Sequence, residues 1–157
     1  MARRRRIFLG AITYVFLFAL GAGGMTLMSP LMSASGESRG PPHSYIRVID
    51  GDTLEDRQAD ITYRLVNVDT PETGSRASCI AEREQGEAAT QAVRDLIASA
   101  QSFEARPTGR TDYYGRTIAY INVDGRDLGE TLMEEHLARP WRGRRYPWCD
   151  AYGQLLP

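Results

Sequence analysis

The sequence has no lysine and few of the residues that build zinc sites. All 19 basic residues of the 157-residue chain are arginine, and only two cysteines and two histidines are present. A structural zinc site needs about four ligands, and Cys79, Cys149, His43 and His136 show no zinc-motif spacing. This scarcity argues against a zinc-finger-type domain, while the absence of lysine carries no functional inference.

Positive charge is also scarce in most of the chain. Residues 1–42 carry five arginines against one glutamate, whereas residues 43–157 carry 14 arginines against 19 acidic residues. An acidic domain is a poor general binder of polyanions, because sequence-independent nucleic-acid binding depends on attraction to phosphates. The charge balance therefore argues against a pure nucleic-acid-binding module. It fits an enzyme that concentrates a metal and gathers its arginines locally.

One long apolar run lies near the start of the chain. Arg3–Arg6 precede residues 7–28, which carry no charge and as a helix would span about 33 Å, enough for a bilayer core. The arginines predict that residues 1–6 are cytoplasmic and that the following domain lies outside, in a periplasmic or extracellular space. Residues 7–28 are either a single-pass transmembrane helix or a signal segment whose cleavage releases the domain. The small residues Gly21–Gly24 offer a possible cleavage site.

A linker follows this segment. Residues 29–44 are rich in Pro, Ser and Gly, so residues 45–152 are predicted to fold as one domain, with a short tail at 153–157. Cys79 and Cys149 both lie in this exported domain. That placement favours a disulfide between them over two unrelated thiols.

The stretch Tyr63–Thr73 combines a strand, an arginine and two acids. An apolar strand at Ile61–Val68 carries Arg64 and ends in a proline-containing turn that holds Asp69 and Glu72. Two carboxylates on one small loop repel each other unless a cation or a proton lies between them. A cation with hard oxygen ligands is one interpretation, and a solvated acidic turn is the other.

A predicted hairpin brings a further acid towards this loop. Strands are predicted at Tyr45–Ile49 and Thr53–Arg57, and a turn at Gln58–Asp60 joins the second of them to the arginine-bearing strand. With this turn, residues whose numbers sum to roughly 118–121 face each other across the hairpin. Asp52 then lies opposite a position within 66–69, near the acidic loop.

The stretch Arg110–Arg116 supplies matching positive charge ahead of a predicted strand at Thr117–Val123. Arginine has a planar fork that fits phosphate oxygens and stays charged at any working pH. Carboxylates can hold a divalent metal, and one of them can take a proton from water. Three carboxylates and two arginines without a nearby histidine therefore indicate chemistry on a phosphate.

Three motifs, Val48–Thr53, Tyr63–Thr73 and Arg110–Arg116, resemble in content and order those of the staphylococcal (micrococcal) nuclease family, also called thermonucleases. The resemblance runs from about Tyr45 to Ala138. It implies an α+β fold, a five-stranded OB-fold barrel with added helices. It also implies a calcium-dependent phosphodiesterase that cleaves DNA and RNA with little sequence preference and leaves 3′-phosphates.

The resemblance implies roles for individual residues as well. The implied calcium ligands are Asp52, Asp69 and the carbonyl of Thr70. The implied catalytic residues are Glu72, Arg64 and Arg116. Glu72 would position or deprotonate the attacking water. Arg64 and Arg116 would bind the scissile phosphate and stabilise the transition state.

The chain departs from the family around the expected nucleotide. Tyr114 matches a residue beside the bound nucleotide, but Tyr113 stands where a lysine is usual. Two positions that hold nucleotide-contacting tyrosines in the family align with Arg142 and Arg144. They lie in the segment 139–150, which mixes four arginines with three aromatic residues. This segment either tracks a phosphate backbone and stacks bases or packs on the barrel as an aromatic strap.

The remaining pattern completes the predicted fold. A loop is expected at Gly74–Glu84, followed by an amphipathic helix at Gln85–Ala100. Further strands are expected at Phe103–Arg106 and Thr117–Val123, and a short helix at 128–137. About five strands and two helices are consistent with an OB-fold barrel.

Two other functions are compatible with parts of this pattern. A non-catalytic OB-fold ectodomain that binds nucleic acid or a partner leaves the acids unexplained, and a calcium-stabilised structural ectodomain leaves Arg64 and Arg116 without a role. DNA or RNA and the membrane, through residues 7–28, are the expected partners. The sequence indicates no protein partner.

Export and disulfide formation can be tested together. A bond between Cys79 and Cys149 would close a loop of about 70 residues, for which chain entropy predicts a stabilisation of about 4 kcal/mol. In the native membrane fraction, we expect both thiols to react with a thiol label only after reductant is added, and reduction to lower the melting temperature. Two thiols that react freely without reductant would rule out the disulfide.

Overall fold

The structure is a computed structural model that describes residues 42–156. The predicted segments 1–6 and 7–28, and most of the predicted linker 29–44, lie outside the described residues. Within residues 42–156, no helix is both long enough and apolar enough to cross a membrane. The elements, in chain order, are β1 (Ile46–Asp50), β2 (Thr53–Asp56), β3 (Ile61–Leu65), β4 (Val68–Asp69), a 3-10 turn (Gly74–Arg76), α1 (Ile80–Ser99), β5 (Phe103–Thr111), β6 (Thr117–Val123), β7 (Arg126–Asp127), α2 (Leu128–Glu134) and β8 (Arg139–Pro140).

A curled sheet and two helices enclose one apolar core. The strand order is β1-β2-β3-β6-β5, in which only the β3–β6 pair is parallel, and β7 pairs with β6. Strand β6 shows the underlying pattern, since Ala119, Ile121 and Val123 are buried at alternate positions. Core residues from the helices are Val93, Ile97, Leu128 and Leu132. This sheet with two helices is consistent with the predicted OB-fold.

The register of the β2–β3 hairpin differs by one residue from the predicted range. Thr53 pairs with Arg64 instead of with a later residue. The reason lies in Asp56, which ends β2 one residue earlier than predicted. Its Oδ1 accepts hydrogen bonds from the backbone N–H groups of Gln58 and Ala59, both at 2.9 Å, so the turn begins earlier.

The shifted register still brings Asp52 to the acidic loop. The Leu65 N–H donates to the Asp52 carbonyl at 2.9 Å, so Asp52 lies opposite Leu65 and not within 66–69. The predicted strand Ile61–Val68 is interrupted, because Asn67 adopts φ 57°, a left-handed conformation that Asn tolerates. The chain then continues as β4, which pairs with β8 instead of with the main sheet.

Helix α1 begins at Ile80, five residues before the predicted start, so the expected loop Gly74–Glu84 was wrong in its second half. Cys79 is the N-cap, and its sulfur accepts from the Glu82 N–H at 3.2 Å. The first turn escaped prediction because it buries Glu82, which is only 1% exposed, instead of an apolar side chain. The apolar periodicity of this helix starts later.

Two further boundaries differ from prediction. Strand β5 extends to Thr111 instead of ending at Arg106, because β6 supplies partners on both sides of an irregularity in its register. Helix α2 ends at Glu134, and Leu137 lies beyond it. His136 adopts φ 59°, and the Leu137 N–H returns to the Leu132 carbonyl at 2.8 Å, which closes the helix end.

Gly86 allows α1 to lie directly on the backbone of the acidic loop. A Cβ atom at this position would lie 2.5 Å from the Glu72 carbonyl oxygen and 2.7 Å from that of Pro71. Both neighbours are backbone atoms and cannot rotate away. The helix therefore supports the acidic loop only because residue 86 has no side chain.

We expect Gly86→Ala to destabilise the domain by about 1 to 3 kcal/mol, the usual range for overpacking, although alanine is the better helix former. Urea unfolding measures the change in the free energy of unfolding. Ala88→Gly, at an exposed position of α1, isolates helix propensity and should lower stability by about 1 kcal/mol. A Gly86→Ala protein more stable than the wild type would show that the loop yields to the helix at little cost.

Candidate active site

Asp52 is a buried carboxylate that connects the β1–β2 turn to the acidic loop. Its Oδ2 accepts from the Thr70 N–H at 3.1 Å and the Thr70 hydroxyl at 2.8 Å. Arg64 Nη2 lies 3.0 Å from the same oxygen. Burial raises the pKa of Asp52 to about 6, with a smaller contribution from Asp50, and the Arg64 charge and Thr70 hydrogen bonds only partly oppose it.

Asp69, at the end of β4, is the second buried acid and is 6% exposed. Burial raises its pKa, and three arginines lower it in part: Arg145, Arg139 and Arg64. Arg139 Nη2 lies 3.9 Å from its Oδ2. Arg64 reaches the same strand, since its Nη2 also donates to the Val68 carbonyl at 2.9 Å. Arg64 therefore connects the environments of both buried acids.

The donors around these acids fit a hard cation. Among residues 42–156, no three His, Cys, Asp or Glu side chains lie close enough together to form a metal cluster. Two buried carboxylates, Asp52 and Asp69, have raised pKa values. Thr70 follows Asp69 in the chain, binds Asp52 through its N–H and hydroxyl, and adds a carbonyl oxygen to the set of donors. Carboxylate and carbonyl oxygens are the ligands that calcium and magnesium prefer. A bound cation would further balance the negative charge of these two buried carboxylates, which nearby arginines balance only in part.

Glu72 lies on the loop after Asp69 and contacts two arginines. Arg76 Nε is 2.8 Å from Glu72 Oε2, and Arg145 forms an ion pair with Oε1. The backbone N–H of Glu72 donates to Glu82 Oε1 at 3.2 Å. Burial raises the pKa of Glu82, but hydrogen bonds from the Ser78 and Glu72 backbone, and the charge of Arg145, bring it below the ordinary value. Both the backbone and the carboxylate of Glu72 are thus held.

Arg116 reaches the site from the tight loop between β5 and β6. Asp112 holds it through a contact of 2.6 Å to Nη2, while Arg116 Nη1 donates to the Thr53 hydroxyl at 3.1 Å. That hydroxyl in turn donates to Asp52 Oδ1 at 3.1 Å. Tyr114, largely exposed, lies with its ring centre 5.4 Å from the Arg116 guanidinium carbon. Arg116 and Asp52 are therefore joined through one threonine.

A cavity of about 480 Å³ opens beside these residues. Its walls include Arg64, Asp69, Tyr114, Arg116 and Arg145. Arginines and an acid thus face the same solvent-accessible space as an exposed aromatic ring. This arrangement can receive a phosphate between two guanidinium groups and a base against the ring.

The segment after β8 is held by more than the disulfide. Cys79 and Cys149 are disulfide-bonded, but Trp148 is also buried, with Arg139 stacked at 3.5 Å from its ring centre. The β4–β8 pairing and the contacts of Arg145 add further attachments. The aromatic-strap interpretation therefore applies to Trp148.

The other side chains of this segment line two different cavities. Trp141 and Arg145 line the cavity that holds Arg64 and Arg116. Arg142, Arg144 and Tyr146 line a second cavity of about 490 Å³. Arg142 and Arg144 are the positions that align with the family's nucleotide-contacting tyrosines, and here they line this second cavity, which shares Asp69 with the cavity that includes Tyr114.

Comparison with known proteins decides the family. The family model described as Staphylococcal nuclease homologue matches residues 62–156. This chain is a member of the staphylococcal nuclease family. The family membership that the three motifs predicted is thereby confirmed.

Three relatives illustrate the range of the family around this chain. It is 41% identical over 97 residues to Endonuclease YncB and 39% identical over 97 residues to SPbeta prophage-derived endonuclease YokF, both from Bacillus subtilis (strain 168). Each alignment covers 59% of this chain but only 44% and 32% of those relatives. Thermonuclease from Staphylococcus intermedius is 30% identical over 151 residues, covering 92% of this chain and 81% of the relative. The chain thus spans less than half the length of either Bacillus relative.

Of the six residues that the family resemblance assigned to metal and phosphate, Asp52 contacts Arg64 and Thr70 and is joined to Arg116 through Thr53. Asp69 lines the same cavity as the two arginines, and Glu72 is joined to the Thr70 carbonyl through Arg145.

The structure also adds residues that sequence reasoning missed, namely Thr53, Arg76, Glu82, Asp112, Arg139 and Arg145. The 110–116 motif already contained the acid that holds Arg116. No local pattern identified Glu82, because it lies within the segment Gly74–Glu84 that was expected to be a loop. None identified Arg145, because its partners are distant in sequence.

The raised pKa of Asp52 predicts a pH-dependent effect on stability. A raised carboxyl pKa favours the folded state below the unfolded value, and this contribution is lost as pH rises through about 6. Without divalent cations, Asp52→Asn should match the wild type near pH 3 and be more stable by up to about 3 kcal/mol near pH 7.5. Urea unfolding at several pH values measures this difference. The exposed-site control Glu87→Gln should show no such trend, and a pH-independent difference at Asp52 would contradict the assignment.

Proposed function

We propose that the chain is a calcium-dependent endonuclease that hydrolyses DNA, RNA or both with low sequence specificity and leaves 3′-phosphate ends. The observation that carries the proposal is the convergence of two buried acids with two arginines beside one cavity, through shared contacts at Thr53 and Thr70. Family membership and relatives named endonuclease and thermonuclease support it.

In the proposed mechanism, the arginines receive the substrate phosphate. Arg64 and Arg116 each offer a planar set of N–H donors, which match two phosphate oxygens and stabilise the charge that develops as a fifth oxygen approaches phosphorus. Their own partners, Asp52 and Asp112, restrict both guanidinium groups before substrate binds. This preorganisation reduces the rearrangement needed in the transition state.

Glu72 is proposed to orient the attacking water and to take its proton on a carboxylate oxygen. The water oxygen forms the new bond to phosphorus, and the bond from phosphorus to the 5′ oxygen breaks. The 5′ oxygen takes a proton from solvent and leaves as a hydroxyl, so the phosphate stays on the 3′ side. Asp52, Asp69 and the Thr70 carbonyl would hold calcium, which when bound supplies positive charge at the phosphate and favours ionisation of water. A carboxylate base is ionised at neutral pH, so it needs no histidine.

The proposed location is outside the cytoplasm, with residues 7–28 either retained as a membrane anchor or removed as a signal. The disulfide between Cys79 and Cys149 supports this location, because such bonds persist in oxidising compartments. A nuclease placed there would act on nucleic acid that reaches the outside of the cell.

Nuclease activity of the purified full chain on DNA and on RNA, with calcium and with a chelator, tests the proposal. Activity that depends on calcium and yields 3′-phosphate ends is expected. An inactive protein that binds single-stranded DNA would favour the non-catalytic OB-fold module. A protein that calcium stabilises but that neither binds nor cleaves nucleic acid would favour a structural ectodomain.

Two substitutions separate chemistry from binding. Glu72→Gln keeps the size of the side chain but removes the base, and Arg116→Lys keeps the charge but loses the two-pronged donor. Both should lower kcat by about a hundredfold or more, with smaller changes in KM. Steady-state kinetics with a short oligonucleotide measures both constants. Near-normal turnover by Glu72→Gln would mean that another group activates the water.

A further inference from the structure

Arg145 contacts the acidic loop at two points and helix α1 at a third, although it is 73 residues from Glu72 in sequence. Its Nη1 pairs with Glu72 Oε1, and its Nη2 lies 3.4 Å from the Thr70 carbonyl and 3.4 Å from Glu82 Oε1. One guanidinium group thereby connects the candidate base to a buried carboxylate.

Glu82 makes this connection rigid. It is 1% exposed and accepts from the backbone N–H of Glu72 at 3.2 Å and of Ser78 at 2.6 Å. Its position in the first turn of α1 fixes the backbone of the acidic loop. Arg145 joins the carboxylate of Glu82 to that of Glu72. Glu82 therefore holds the backbone of Glu72 directly and its carboxylate through Arg145.

The chain around Arg145 has no helix or strand of its own. Residues 141–147 are exposed and lie between β8, which pairs with β4, and Cys149, which is bonded to Cys79 with a Cα–Cα distance of 6.5 Å. Cys79 is the N-cap of the helix that carries Glu82. The disulfide therefore attaches the Arg145 segment beside the partners of Arg145.

Arg76 is the other arginine on Glu72, but its contacts differ in kind. Its side chain is 60% exposed, against 41% for Arg145, and its second partner is Asp50 at 3.2 Å. An exposed ion pair contributes little to a fixed geometry. The second partner of Arg145 is Glu82, which is 1% exposed and also binds the backbone N–H of Glu72, so Arg145 is the better candidate for setting the position of the carboxylate.

We propose that Arg145 is a positioning residue that holds the Glu72 carboxylate in place for its reaction with water, and that the Cys79–Cys149 disulfide keeps Arg145 there. This inference rests on the proposed nuclease function. Arg145 acts through Glu72, and its removal affects turnover more than substrate affinity.

The first experiment compares kcat and KM of the full chain for the wild type, Arg145→Ala, Arg145→Lys and Glu72→Gln. We expect Arg145→Ala to lower kcat about tenfold to a hundredfold with little change in KM, because a carboxylate out of place loses most of its catalytic advantage. Arg145→Lys should recover part of the loss. Arg126→Ala is the matched control, since it removes an arginine whose ion pair with Glu134 is exposed, and it should keep the wild-type kcat.

A double-mutant cycle tests whether Arg145 acts through Glu72. In the Glu72→Gln background, Arg145→Ala should have no further effect on kcat, because the carboxylate that it positions is already absent. Independent, multiplicative losses would instead assign Arg145 to direct phosphate binding or to general stability, and would overturn the proposal. A rise in kcat in Arg145→Ala would also overturn it, by identifying Arg145 as a cover over the site.

The disulfide is tested with the double variant Cys79→Ser/Cys149→Ser, assayed well below its melting temperature. We expect it to lower kcat by no more than Arg145→Ala does, because buried Trp148 and the β4–β8 pairing also hold the segment, and we expect the triple variant to lose no more than Arg145→Ala. A lowered melting temperature with unchanged kcat would limit the disulfide to stability and overturn that half of the proposal. If the double variant does not fold, adding a dithiol reductant to the folded wild type provides the same comparison.

A wild-type chain without nuclease activity would overturn the proposed function itself, whereas an active wild type with an unaffected Arg145→Ala would overturn only this inference.

Discussion

The buried carboxylate of Asp52 is the contact on which the arrangement of the site depends. It lies in the turn between β1 and β2, yet its hydrogen bonds go to Thr70 in the acidic loop and its charge is balanced by Arg64 from β3. Burying an ionised carboxylate is unfavourable unless donors and a counter-charge surround it. Three chain segments must therefore meet in the correct geometry for this cost to be partly offset, and their meeting assembles the site.

The same requirement repeats around the site with different partners. Asp112 holds Arg116, Arg139 approaches Asp69, and Arg145 lies between Glu72 and Glu82. The domain carries an excess of acids overall, but Arg64, Arg116, Arg139 and Arg145 pair with acids around the site. Local pairing of this kind lets an acidic domain gather several guanidinium groups in one region.

Short-range patterns predicted the parts of the molecule that depend on short-range physics. The predicted strand Thr117–Val123 has the same bounds as β6, and Asp69 and Arg116, from two of the three motifs, line the same cavity. Patterns failed where a polar side chain replaced an apolar one in a structural role, as Glu82 does at the start of α1, and where one turn hydrogen bond moved a register, as at Asp56. Arg145 could not be predicted at all, because its position depends on a cross-link and on tertiary contacts more than 60 residues away.

The disulfide also changes the topology of the molecule as a covalent object. Cys79 and Cys149 close a ring that contains α1, the β5–β6 hairpin and α2, while the Asp52 turn and the acidic loop lie on the arm outside it. A single peptide-bond cleavage anywhere between the two cysteines opens the ring but releases no fragment. In a compartment that contains proteases, a nicked molecule would keep all its site residues on one covalently connected chain. Only a cut outside the ring would separate the Asp52 arm from the arginines of the other half.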